Sequence, residues 1–111
     1  VSPVPLVQVD AAGAITFANA AAARALGVGR ELLVGTRYDA PAWGLAALDG
    51  TPIPRERTPV ARALRGETVA ACEVLVNAMD GARRVMELHA APLHDDEGAV
   101  TGVIVAFEDA T

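Results

Sequence analysis

The 111-residue chain has no lysine, one cysteine and one serine, and aromatic residues make up only 4% of it. Each scarcity removes a class of function. With Cys72 alone there is no internal disulfide framework, no four-cysteine zinc site and no second thiol in the chain to resolve an oxidised one. Ser2 as sole serine leaves no nucleophile-elbow motif. Nine arginines against fourteen acidic residues set the net charge at −5. A nucleic-acid binder needs a basic face to displace phosphate counterions, so such a partner is not expected. No apolar run approaches the ~20 residues of a bilayer span. The longest, residues 100–107, is interrupted by Thr101 and Gly102. No charged start followed by an apolar signal segment is present. The expectation is a cytoplasmic segment with no membrane insertion. Because it begins at Val1, residues 1–111 are expected to be one domain excised from a longer, multidomain protein.

What is present is a largely small-residue apolar chain: 52% hydrophobic, with 24 alanines. That length suits one domain able to bury roughly two thirds of its unfolded surface. Residues 6–9 and 14–18 flank Asp10-Ala11-Ala12-Gly13, a turn signature, and predict a β-hairpin. Asn19 before residues 20–26 reads as a helix cap, Gly27 as its stop, and residues 30–34 as a second short helix. Periodicity is lost over residues 36–57, where at most one helical turn, around residues 43–48, is expected. Thr58-Pro59 opens the clearest helix, closed by Gly66, with Val60, Ala63 and Leu64 on one face and Ala61, Arg62 and Arg65 turned elsewhere. Residues 69–78, 83–93 and 100–107 are β-rich runs separated by Met79-Asp80-Gly81 and Asp95-Asp96-Glu97-Gly98. Such short links favour antiparallel neighbours, and strands segregated from a helical block indicate an α+β fold.

These residues resemble a known family. Asp10-x-x-Gly13-x-Ile15, Asn19-Ala20-Ala21, Gly27 and Glu31-Leu32-Leu33-x-Gly35 look like the opening of a PAS sensory domain. Residues 62–67, Asp80-Gly81, Ala91-Pro92-Leu93, Asp96-x-Gly98-x-Val100-x-Gly102 and Asp109-Ala110-Thr111 continue the likeness over nearly the whole chain. The resemblance implies a five-stranded antiparallel sheet in the order 2-1-5-4-3, with short helices packed on one face around a ligand cavity. It also implies modular use in bacterial signalling proteins, with an effector such as a histidine kinase, diguanylate cyclase or regulator beyond Thr111, and a relay through Asp109 and Thr111.

The cofactor stays unknown at this level. A flavin sensor of the light-oxygen-voltage type needs a cysteine in an Asn-Cys-Arg-Phe-type helical motif, whereas Cys72 lies between Ala71 and Glu73 at the start of a strand. An oxygen-sensing haem domain needs a histidine in the helix before the third strand, and residues 58–65 contain none. His89 and His94 fall on and just after the fourth strand, and with Asp95 and Asp96 read more simply as a decorated, solvated turn than as a metal site. A small organic ligand remains open. Arg37, Tyr38 and Trp43 supply apolar area and donors for a pocket wall, with Leu64, Met86 and Leu88 as the further expected lining. Alternatively, Trp43 simply plugs an aromatic-poor core.

Alternation on the fourth strand leaves open whether Val85, Glu87 and His89 or Met86, Leu88 and Ala90 face the helices. On the fifth strand both faces are apolar, so both need cover, by a flanking helix or a second copy. Catalysis finds no motif: Gly27-Val28-Gly29 lacks the third glycine of a phosphate loop. The expected function is a non-enzymatic sensory module that binds a small molecule or partner domain, works as a homodimer and drives an effector. The alternative is a ligand-free dimerisation module.

Overall fold

A computed structural model describes residues 4–40, 43–78 and 81–110. Within them β1 (Leu6–Asp10) and β2 (Ile15–Ala18) form the first hairpin, followed by α1 (Ala20–Leu26) and α2 (Arg30–Leu33). A 3-10 turn (Arg55–Arg57) then leads into α3 (Pro59–Leu64), β3 (Val69–Asn77), β4 (Arg83–His94) and β5 (Val100–Asp109). The strands make one antiparallel sheet in the order β2-β1-β5-β4-β3, as the resemblance implies.

Two of the turns use the same chemistry. Asp10 Oδ1 accepts the amides of Ala12 and Ala14 at 2.9 and 3.0 Å, and Asp95 Oδ1 accepts those of Glu97 and Ala99 at the same two distances. In each, the fourth residue is a glycine in the left-handed region, Gly13 at φ 99° and Gly98 at φ 86°, a conformation that a Cβ disfavours. Asp95 of the second turn is thus engaged with its backbone. Among the described residues no group of three or more His, Cys, Asp or Glu side chains converges as a metal site.

The helices are too short to stand on propensity and are held by caps and docking. Asn19 Oδ1 accepts Ala22 N at 2.8 Å at the start of α1, and Gly27 ends it at φ 70°. The four-residue α2 is anchored by Leu33, fully buried; burying a leucine contributes about 1.5–3 kcal/mol. In α3 the Thr58 hydroxyl accepts Ala61 N at 3.3 Å, with Pro59 at the first helical position. Pro59, Val60, Ala61 and Ala63 are buried there, so Ala61 does not turn away as helical spacing from Val60 suggests. A helix of six residues wedged between the 3-10 turn and the sheet is covered on more than one side.

Helices cover the sheet face that carries Val7, Val9, Val74, Met86, Ala90, Val103 and Val105, all 6% exposed or less. Alternation therefore resolves on β4 in favour of the Met86 face, with Glu87 and His89 on the other side. His89 is occupied there: Nδ1 accepts Ala71 N at 3.2 Å, and Nε2 lies 3.0 Å from Glu87 Oε1. Ala71, at φ 54° in the bulge of β3, is the one non-glycine residue with positive φ among those described. No helix among the described residues is long and apolar enough to cross a membrane.

Candidate functional site

The stretch without periodicity turns out to be the element that builds the site. At its start it runs along β2: Gly35 N donates to Ile15 O at 2.7 Å, Ile15 N to Thr36 O at 2.9 Å and Tyr38 N to Gly13 O at 3.1 Å. Further on, Ala46 and Leu75 exchange amide bonds of 3.1 and 2.8 Å at the outer edge of β3. The chain therefore crosses the whole helix-side face of the sheet between Arg37 and Ala46. Four inter-strand spacings span about 19 Å, and nine residues reach up to ~30 Å, so the segment is long enough for the crossing with length to spare. No full helical turn forms over residues 43–48, where only Trp43 has 3-10 character, within the expected limit of one turn. Instead Gly44 adopts φ 54°, and Ala46 pairs with Leu75 on one side and Pro52 on the other.

Trp43 sits midway along this strap, 5% exposed, with Nε1 donating to the Arg37 carbonyl at 3.0 Å. Asp39 pins the strap from the side, 2.9 Å from Arg37 Nε and 3.6 Å from Arg55 Nη1. The Arg37 hydrogen bond holds the Asp39 carboxyl below its ordinary range. Tyr38 packs over the first hairpin, where a Cβ on Gly13 would come 2.9 Å from its ring. Its hydroxyl is raised above the usual phenol range, chiefly by burial and then by the Asp39 charge.

Between strap, α3 and sheet lies a cavity of about 90 Å³, walled by Tyr38, Trp43 and Leu45 from the strap, Thr58, Pro59 and Val60 from the start of α3, and Val76, Met86, Leu88, Val105 and Phe107 from the sheet, with Val7, Val9, Ile15 and Leu26 completing it. Of the residues expected to line a pocket, Tyr38, Trp43, Met86 and Leu88 come together here. Arg37 and Leu64 are not in the wall: Arg37 points to Asp39, and Leu64 is half-buried against the core. Both roles proposed for Trp43 coincide, since it is buried in the core cluster and faces the cavity. Sequence reasoning missed the strand residues Val105 and Phe107 and the capping Thr58. The buried hydroxyl of Thr58 was legible as a helix cap, but its position against the cavity depends on how α3 docks.

Cys72, His89 and His94 are absent from the wall. Cys72 lies beyond the bulge of β3, and both histidines are exposed on β4. The residues facing the cavity therefore supply no cysteine for a flavin adduct and no histidine for haem. At the exit from the sheet, Asp109 Oδ2 lies 3.9 Å from Arg84 Nε, and Arg84 Nη1 donates to the Ala25 carbonyl of α1 at 3.3 Å. Ala110 N continues the β4 pairing on Val85 O at 2.8 Å, and Thr111 lies outside the described residues, as do Met79 and Asp80 of the expected link between β3 and β4.

A five-stranded antiparallel sheet with short helices and a strap closing one face over an apolar cavity defines a small α+β domain. A family model described as the PAS fold matches residues 1–111, and the chain belongs to that family. Solved structures agree at the level of fold. The PAS domain of an HTR-like protein from Haloarcula marismortui is 20% identical with a TM-score of 0.69, over 97% of this chain and 82% of that one. A PAS domain of a protein from Colwellia psychrerythraea is 18% identical with a TM-score of 0.72, over 96% and 86% of the two chains. The light-state dimer of the fungal blue-light photoreceptor Vivid is 20% identical with a TM-score of 0.71, over 98% and 82%. No curated protein sequence matches the chain significantly.

Proposed function

We propose that this domain is a non-catalytic sensory module of a larger signalling protein, which holds a small molecule between strap and sheet and transmits its presence along β5 to an effector beyond Thr111. One observation carries the reading. Val105 and Phe107 stand in the cavity wall, and the same strand ends two residues later at Asp109, beside Arg84. A molecule in the cavity touches the strand that leads out of the domain. Binding shifts the arrangement of the β5 end only by its differential affinity for the available arrangements. Arg84 is suited to share in the relay because it contacts both the α1 carbonyl and Asp109. The effector would be of the kinase, diguanylate cyclase or regulator class, and the module would work in the cytoplasm of a bacterium.

A second reading keeps the fold and dispenses with the ligand: a dimerisation element that pairs through the outer sheet face. It is favoured by that face itself, where Phe17 is 47% exposed and Leu6, Ile104 and Ala106 are only half-buried. Native mass spectrometry of the protein purified from its own host separates the two. A mass excess lost on denaturation supports ligand sensing. A clean apo mass together with a concentration-independent dimer overturns it in favour of the second reading.

A further inference from the structure

The chemistry of the cavity wall narrows what it can hold. Val9, Met86, Val105 and Phe107 present hydrocarbon or thioether surface, each 4% exposed or less. Two of the three polar side chains in the wall have already spent their hydrogens within the protein: Trp43 Nε1 on the Arg37 carbonyl at 3.0 Å and the Thr58 hydroxyl on the Arg55 carbonyl at 2.9 Å. Tyr38 carries the third, a neutral phenol able to donate one hydrogen bond. Among the described residues no arginine, carboxylate or histidine faces the space. A charged group entering it would lose its hydration with no counter-charge in return.

Size narrows the choice further. The cavity of about 90 Å³ is smaller than the roughly 150 Å³ that admits benzene into an engineered apolar void, and well below the roughly 300–1,000 Å³ of sites for drug-sized ligands. Met86, unbranched and adaptable, is the wall residue best able to repack and make room for a ring. Resting on the ligand-sensing reading above, we propose that the site takes a neutral, hydrocarbon-like molecule of at most a single ring, and excludes flavin, haem and organic anions.

The test titrates the 111-residue protein with benzene, toluene, benzoate and flavin mononucleotide, reading methyl chemical shifts by NMR and the thermal midpoint. Benzene or toluene is expected to shift the Val9, Val76 and Val105 methyls and, at tenfold excess over its dissociation constant, to raise the midpoint by about 5 °C. Benzoate and flavin mononucleotide are expected to do neither. Val105→Leu, which fills part of the cavity, should weaken benzene binding by about tenfold or more. If that variant does not fold, xenon under pressure reads the same space in the unaltered protein, with shifts confined to the wall methyls. Saturable binding of benzoate or flavin mononucleotide at the wall, without hydrocarbon binding, overturns the ligand class and leaves ligand sensing standing. Silence of the wall methyls to every probe, xenon included, overturns both and leaves the dimerisation reading.

Discussion

Asn19 shows how much one side chain can organise. Its Oδ1 caps α1 at Ala22 N and also accepts Leu6 N at 3.1 Å, while its Nδ2 donates to the Val4 carbonyl at 2.8 Å. The cap was readable from an asparagine before a helical run. The bonds to Val4 and Leu6 were not, because they join residues thirteen and fifteen positions away that only the sheet brings close. Asn19→Ala should therefore cost more than a cap alone, about 2–3 kcal/mol in urea denaturation. Asn19→Asp keeps both acceptor bonds and loses only the donor to Val4, and its cost should stay near ~1 kcal/mol. Equal losses for the two variants would show that the two bonds accepted by Asn19 Oδ1, from Ala22 N and Leu6 N, contribute nothing.

At the level of elements, the strap joins fold and function. By pairing with β2 near Ile15 and with β3 at Leu75 it covers part of both sheet edges, which would otherwise offer unpaired amides to other chains. Its hold on the Trp43 region depends on Asp39, whose side chain is 7% exposed between Arg37 and Arg55. Because the folded-state pKa of Asp39 is lowered, the unfolded chain binds more protons as pH falls below the ordinary carboxylate range near ~4. The stabilisation is thus fully present at neutral pH and is lost as pH drops through the lowered value. Asp39→Asn should be less stable than the parent at pH 7, with the difference shrinking on acidification, as urea denaturation over a pH series would measure. A difference that persists unchanged at low pH would mean that the Arg37–Asp39–Arg55 cluster does not hold the strap.

The whole molecule is asymmetric across its sheet. One face is sealed by helices and strap, and the other carries Leu6, Phe17, Ile104 and Ala106 with no helix over them among the described residues. If a second copy covers that face, Ile104→Glu places a carboxylate in the contact, and light scattering should show a shift from dimer to monomer with the thermal midpoint of the monomer little changed. An unaltered dimer would place the contact elsewhere. The outer face also carries a lateral row of like charges, with Glu73 opposite Glu87 and Glu87 opposite Glu108, so any copy docking there must accommodate an acidic flank. Local chemistry alone determined the turns at Asp10 and Asp95, the caps at Asn19 and Thr58 and the position of the strand runs, because each depends on residues within a few positions of one another. The strap was illegible for the opposite reason: its conformation is set by hydrogen bonds to Ile15 and Leu75, at opposite edges of the sheet. The same holds for the cavity. Sequence pointed to Tyr38, Trp43, Met86 and Leu88, but both faces of β5 are apolar, and only the docking of α3 and the strap decided that Val105 and Phe107 face inward and Ile104 outward. Periodicity can say that a strand has two faces; which one is buried is decided by what packs against it.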